Sequence, residues 1–343
     1  MIRLNLALQG GGAHGAFTWG VLDRLLQDDG LEIAGISGTS AGALNGAALK
    51  AGLATGGREG ARANLRWVWE QVGAVTTPWA QDWLAAAAPS AGWLAAMTSV
   101  SPAFMAFDVM ARTTSPYVYG SVFRNPLERI LRDMRFEEIC ADSGPALYIG
   151  ATNVRTGKIR VFSGQQITPE AIMASACLPT LFEAIEIEDP DTGRTEAYWD
   201  GGYTGNPPLF PLYRNDLPND VVIVNINPLV RDEVPKSAEA ITNRINEIGF
   251  NTSLLGELRS IHFVQRLLET GAIQSGTMKA VRIHLIEDDA LMNELNVATK
   301  TIPNPVILAR LKEAGEQAAE RFLQDHRADL GTRSSVDLKA MFS

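Results

Sequence analysis

The sequence predicts an α/β protein with a mainly parallel sheet covered by helices on both faces. Short apolar runs of strand character alternate with segments of helical spacing, and two early strand-to-helix junctions are rich in glycine. The composition agrees. A chain of 343 residues with 46% hydrophobic and 20% charged residues suits one large globular domain with additions.

The elements follow in order. Leu4 to Leu8 is an apolar strand that runs into Gln9-Gly10-Gly11-Gly12-Ala13-His14-Gly15, after which Phe17, Val21, Leu22, Leu25 and Leu26 keep helical spacing. Leu31 to Ile36 is a second strand, Ser37 to Gly42 a sharp turn and Ala43 to Ala51 a small-residue helix, with a further helix over 57–75. Residues 76–120 form a helical cap-like insertion rich in Trp and Met. Leu147 to Asn153 resumes the strand pattern, turning at Thr156-Gly157-Lys158 into Ile159 to Phe162. Pro169 to Ala176 is a short helix capped by Thr168, and Glu183 to Ile187 and Thr195 to Trp199 flank a turn and lead to Asp200. Val221 to Ile226 is another strand. Beyond Pro235 the chain reads as helices interrupted by a strand at Val281 to Ile286, with a loose last ten residues. The organisation is an α/β domain over 1–235 and a mainly helical extension over 236–343 packed on it.

Charge and cysteine content exclude several roles. A formal charge of −9 without a Lys/Arg cluster repels phosphate backbones, so nucleic acid is not an expected partner. Cys140 and Cys177 sit in apolar settings without metal-ligand spacing and are expected to be reduced core residues. Met1 to Leu8 is too short for a signal peptide, and no apolar run reaches the roughly 18 residues of a spanning helix. The expected location is the cytoplasm, with peripheral membrane contact through 79–110 as a further expectation.

A serine hydroxyl becomes a useful nucleophile only beside a base and near donors that stabilise the oxyanion. Ser40 stands in Gly38-Thr39-Ser40-Ala41-Gly42, a G-x-S-x-G turn between a strand and a helix, where Gly38 and Gly42 permit the bend. Gly10, Gly11 and Gly12 supply consecutive backbone N–H groups for an oxyanion hole, although glycines also serve tight turns. The same loop fits a dinucleotide pattern, but the second strand ends at Ile36-Ser37 without the acidic residue that would hold a ribose. Of the four histidines, none lies on an evident loop after a strand. Asp200 does, before Gly201-Gly202, and a desolvated carboxylate there can take the Ser40 proton directly; the plain alternative is a turn aspartate.

With these blocks placed, the sequence resembles the patatin-like phospholipase family. The resemblance rests on Gly10 to Gly15, Gly38 to Gly42, the block Ala174 to Phe182 and Asp200-Gly201-Gly202, in that order. It implies a three-layer α/β/α sandwich, a Ser40–Asp200 dyad without histidine, hydrolysis of fatty-acyl esters of glycerolipids, and no metal or other cofactor. His14 departs from the Arg or Lys common after those glycines and is a candidate accessory residue. Glu183-Ala184 replaces a frequent proline. Two other readings stand beside this one: a Ser-His-Asp esterase recruiting His284 or His262, and a catalytically silent lipid- or protein-binding module. The Trp- and Met-rich stretch Trp79 to Met110 reads either as core or as an apolar lid that meets lipid. No motif speaks to head group, chain length or oligomeric state.

Overall fold

A computed structural model describes residues 1–73, 90–99, 101, 109–110, 113–119, 125–231, 233–274 and 276–342. Its centre is an eight-stranded mixed sheet. The strands are β1 (Ile2–Leu8), β2 (Leu31–Thr39), β3 (Ala146–Asn153), β4 (Ile159–Ser163), β5 (Ile185–Asp189), β6 (Arg194–Asp200), β7 (Asp220–Val224) and β8 (Arg282–Ile286). Their order is β5-β6-β3-β2-β1-β7-β8, with β4 beside β3. From β3 to β8 the neighbours run parallel, while the β3–β4, β3–β6 and β5–β6 pairings are antiparallel.

Six helices bear on the site: α1 (Gly15–Leu25), α2 (Ala41–Gly73), α3 (Pro169–Ser175), α4 (Ala238–Glu269), α5 (Val297–Thr301) and α6 (Pro305–His326). The two-residue period of the strands divides the core between the faces of the sheet. Leu4, Leu6, Leu8, Val222 and Val224 pack with α1, α2 and α6; Ala7, Val221, Ile223 and Ile283 pack with Leu254, Leu258 and Ile261 of α4. This is the expected sandwich. The α1–α6 crossing is close because glycine stands on each side of it. A Cβ on Gly20 would lie 1.9 Å from Lys312 O, and one on Gly315 would lie 2.1 Å from Phe17 O.

Local expectations mostly match. The Thr168 side chain accepts from Ala171 N at the start of α3, and Gly157 takes a positive φ in the β3–β4 turn. The helices expected over 43–51 and 57–75 are one element broken by non-helical backbone at Gly56 and Gly57. One expectation fails: residues 334–342 are not loose. Ser335 N and Val336 N donate to Ile283 O, Ser334 Oγ accepts from Ile283 N, and Leu338 is buried. The segment covers the outer edge of β8, which would otherwise expose unpaired backbone.

Of the insertion expected over 76–120, helices are seen at Ala91–Ser99 and Pro116–Tyr119. Trp79, Trp83, Phe104, Met105, Phe107 and the Trp93 side chain lie outside the described residues. Among the described residues no helix is long and apolar enough to cross a membrane.

Candidate active site

Strand pairing brings Ser40 and Asp200 together. Because β4 holds one edge of β3 over Tyr148 to Thr152, β2 and β6 share the other edge. β2 ends with Thr39 opposite Gly150, and β6 arrives from the opposite direction with Asp200 opposite the next residue, Ala151. The two strand ends meet head to head, and the Ser40 hydroxyl lies close enough to the Asp200 carboxylate to lower its pKa. A Cβ on Gly201 would lie 2.2 Å from Gly150 O, so only glycine lets the chain leave β6 there.

Ser40 itself is held in a left-handed conformation, φ 54°, the only non-glycine positive φ among the described residues. Such a conformation costs of order 1–3 kcal/mol in a non-glycine residue and persists only where the surroundings enforce it. Here they do. Gly38 and Gly42 pass so close that a Cβ on Gly38 would lie 2.5 Å from Gly42 O, and one on Gly42 would lie 2.0 Å from Leu8 O. Ser40 N donates to Ser175 Oγ at 2.9 Å, and Ser175 Oγ donates to Gly150 O at 2.6 Å. Ser175 therefore ties the Ser40 turn to β3 and gives the block Ala174 to Phe182 a physical role.

Asp200 is buried, and its surroundings are short of positive charge. Its Oδ1 accepts from Gly202 N at 2.7 Å, while its backbone is fixed by Asp200 N to Cys177 O (2.8 Å) and Thr152 Oγ1 to Asp200 O (2.8 Å). Burial pushes the carboxyl up to about 7, against the weaker opposing effect of the Gly202 N–H and Ser40 hydroxyl. The same burial, aided by the Asp200 charge, pushes the neighbouring Cys177 thiol up to about 12, so this thiol stays protonated.

The three glycines of the first loop have different tasks. Gly10 N donates to Asn206 Oδ1 at 2.7 Å, and a Cβ on Gly10 would lie 2.7 Å from Ser40 Cβ; this residue lets the loop touch the serine. Gly12 takes φ 58°, and neither Gly11 N nor Gly12 N has an acceptor among the described residues. The loop is anchored from below by buried amides. Gln9 Oε1 accepts from Ile226 N, Asn227 N and Asn227 Nδ2, while Gln9 Nε2 donates to Asn251 Oδ1. Asn227 Nδ2 also donates to Gly10 O at 2.8 Å.

His14 is buried beneath α5, with Nε2 2.8 Å from Thr299 Oγ1. Thr299 Oγ1 donates to Asn296 O, so Nε2–H must donate to it and Nδ1 is left as an acceptor without a partner. Burial, reinforced by Lys300, holds the His14 pKa well below its ordinary value. The ring is neutral and joins the loop to α5.

The structure corrects the histidine-dependent alternative. His284 lies on β8 in register with Val222, Leu6 and Ile36, three strand spacings from β2, or about 14 Å across the sheet. It is fully buried between Asp220 (3.0 Å) and Ser335 (3.2 Å). His262 lies on α4 in a cleft with Arg259, Phe263, Val281 and Phe342. It is twelve residues beyond Phe250, the α4 residue beside Gly202, or about 18 Å along the helix. Neither can serve Ser40.

Sequence reading missed Gln9, Ser175, Asn206, Asn227 and Lys300. Gln9 left a local signal, as a polar residue closing an apolar strand, and Ser175 stood inside the block Ala174 to Phe182 without a role of its own.

Residues 6–213, more than half of the chain, match the family model described as patatin-like phospholipase. No curated protein matches the sequence. Among solved structures the chain matches VipD from Legionella pneumophila at 14% identity, over 95% of this chain and 67% of that one, with a TM-score of 0.42.

Proposed function

We propose that this chain, which belongs to the patatin-like phospholipase family, hydrolyses fatty-acyl esters of glycerolipids through a Ser40–Asp200 dyad. Family membership supports lipid acyl hydrolysis in general. The observation that carries the assignment is the buried Asp200 carboxyl, set against the Ser40 turn by strand pairing and raised to about 7. A base with that affinity for protons is matched to neutral pH, whereas an exposed aspartate is too weak.

Ser40 Oγ attacks the acyl carbonyl carbon as Asp200 takes its proton, and the carbonyl oxygen becomes an oxyanion. Gly11 and Gly12 N–H groups receive that charge, each worth roughly 3 kcal/mol of transition-state stabilisation. Collapse of the tetrahedral intermediate expels the alcohol, which takes the proton from Asp200, and leaves Ser40 acylated. Water, deprotonated by Asp200, attacks the acyl-enzyme; the fatty acid leaves and Ser40 recovers its proton. The Ser175 and Asn206 side chains hold the reacting geometry without changing protonation.

The test is labelling of the purified protein by a fluorophosphonate together with turnover of a p-nitrophenyl acyl ester. Wild type should react with both, and Ser40→Ala should lose the label and at least roughly a thousandfold in turnover while keeping its melting temperature. An unlabelled, inactive wild type would instead identify a binding module.

A further inference from the structure

Lys300 reaches the glycine loop from α5, outside the family-matched residues 6–213. Its backbone is pressed against the loop: Lys300 O lies 2.3 Å from where a Cβ on Gly12 would stand. Its ammonium Nζ donates to Asn227 Oδ1 at 2.9 Å, and that oxygen is 3.7 Å from the corresponding position on Gly11. The positive charge is therefore one amide group away from Gly10 and Gly11 of the loop.

That charge is poorly compensated. An ammonium offers three donors, and only one has an acceptor among the described residues. No carboxylate among them forms an ion pair with it. The charged groups that act on it are Glu247 on α4 and Arg231, and the neutral His14 ring lies nearby. Glu247 is already bound to Arg231 at 2.6 Å and Arg244 at 3.2 Å. Burial lowers the Lys300 pKa to about 8, with Glu247 opposing the shift and Arg231 adding to it. A largely buried cation without a carboxylate partner stays uncompensated until an anion reaches it.

We propose that Lys300 is a specificity-determining residue that binds the phosphate of a phosphate-bearing glycerolipid while its ester carbonyl occupies the Gly11–Gly12 loop. The assignment rests on the reading of Ser40 as nucleophile. In such a lipid the phosphate lies a few bonds from the ester carbonyl, which suits an ammonium beside the loop. Charge complementarity supports phosphate as the ligand: a chain of net charge −9 repels anionic lipid in general, so recognition needs a local cation. The oxyanion itself already has the glycine N–H groups.

The experiment compares kcat and KM for lysophosphatidylglycerol and for monoacylglycerol of the same acyl chain. Lys300→Gln keeps a donor for Asn227 Oδ1 and removes the charge. It should raise KM for the phosphate ester about tenfold or more beyond any change in KM for monoacylglycerol, and alter kcat to the same extent on the two esters. Lys300→Arg should restore the preference. In wild type, inhibition by sn-glycerol 3-phosphate should weaken as pH rises through about 8, where Lys300 loses its proton; this arm needs no variant. Equal losses on the two esters, or none on either, would overturn the phosphate assignment and leave the dyad standing. A wild type inactive on both esters would instead remove the Ser40 reading on which the assignment rests.

Discussion

Asp200 and Asp220 are two buried carboxylates at strand ends of one sheet, and they meet opposite fates. Asp220 is raised by burial, but His284 at 3.0 Å, Arg282 at 2.7 Å and Gly331 N at 2.9 Å outweigh that and hold it well below the ordinary carboxylate range. Asp200 has only the Gly202 N–H and the Ser40 hydroxyl, so burial wins and the pKa rises to about 7. Burial alone therefore does not make a base. What decides is whether a cation shares the site. The contrast matters because Asp220, His284 and Ser335 form a hydrogen-bonded line with the residue types of a catalytic triad. Arg282 already neutralises that aspartate, and nothing like the Gly10 to Gly12 loop lies beside Ser335 in the sequence. The line is structural.

The largest effect should come from Asp200→Asn. The amide keeps the shape and an acceptor for Gly202 N but cannot take a proton, so kcat should fall by roughly 100- to 10,000-fold while the melting temperature holds. On the proposed mechanism the ionised carboxylate of wild type is the competent form. Because its pKa is raised, kcat/KM should climb as pH rises, reaching half its plateau near 7, and fall about tenfold per unit below that. Asp200→Asn should lack this limb. A wild-type profile flat from pH 5 to 8 would erase the difference between the two aspartates.

Asp220→Asn is the reverse case. It leaves Arg282 without its counter-charge and should cost about 3–5 kcal/mol of stability at neutral pH, measured by denaturant unfolding. The folded pKa lies below the unfolded value of about 3.9, so the carboxylate stabilises above that value and this stability is lost as pH falls through the folded pKa. The deficit of the variant should shrink accordingly in acid. Turnover per folded molecule should stay within about twofold. A collapse of kcat in a fully folded variant would make the Asp220 line functional after all.

How much of this was legible in the sequence depended on whether the cause was local. The elbow, the glycine loop and Asp200-Gly201-Gly202 could be read because each close approach demands glycine at a fixed position in a short string, as at Gly42 against Leu8 O. The alternation of strands and helices was legible for the same reason. What could not be read was pairing at a distance. Nothing near Asp200 announces that β6 runs antiparallel into the end of β2, nor that Asn206, Asn227 and Lys300 converge on Gly10 to Gly12 from positions 196 to 290 residues away. His284 and His262 remained open as bases because only strand order and helix length exclude them.

The smallest effect tests how tightly the Asp200 side of the comparison must be held. Ser175→Ala removes the acceptor of Ser40 N and a donor to Gly150 O, leaving the buried Ser40 N–H unpaired. Unpaired buried groups cost about 1–3 kcal/mol each, less wherever the turn relaxes or water enters. Relaxation is the more informative outcome, because φ 54° at Ser40 persists only while its surroundings enforce it. A turn that settles away from this conformation moves Oγ relative to both Asp200 and the glycine N–H groups. The expected result is a kcat lower by about tenfold with KM unchanged, since the acyl chain and head group bind elsewhere. Equal kcat in a variant that has lost about 1 kcal/mol or more of stability would show that the acidity contrast between Asp200 and Asp220 suffices without the enforced turn.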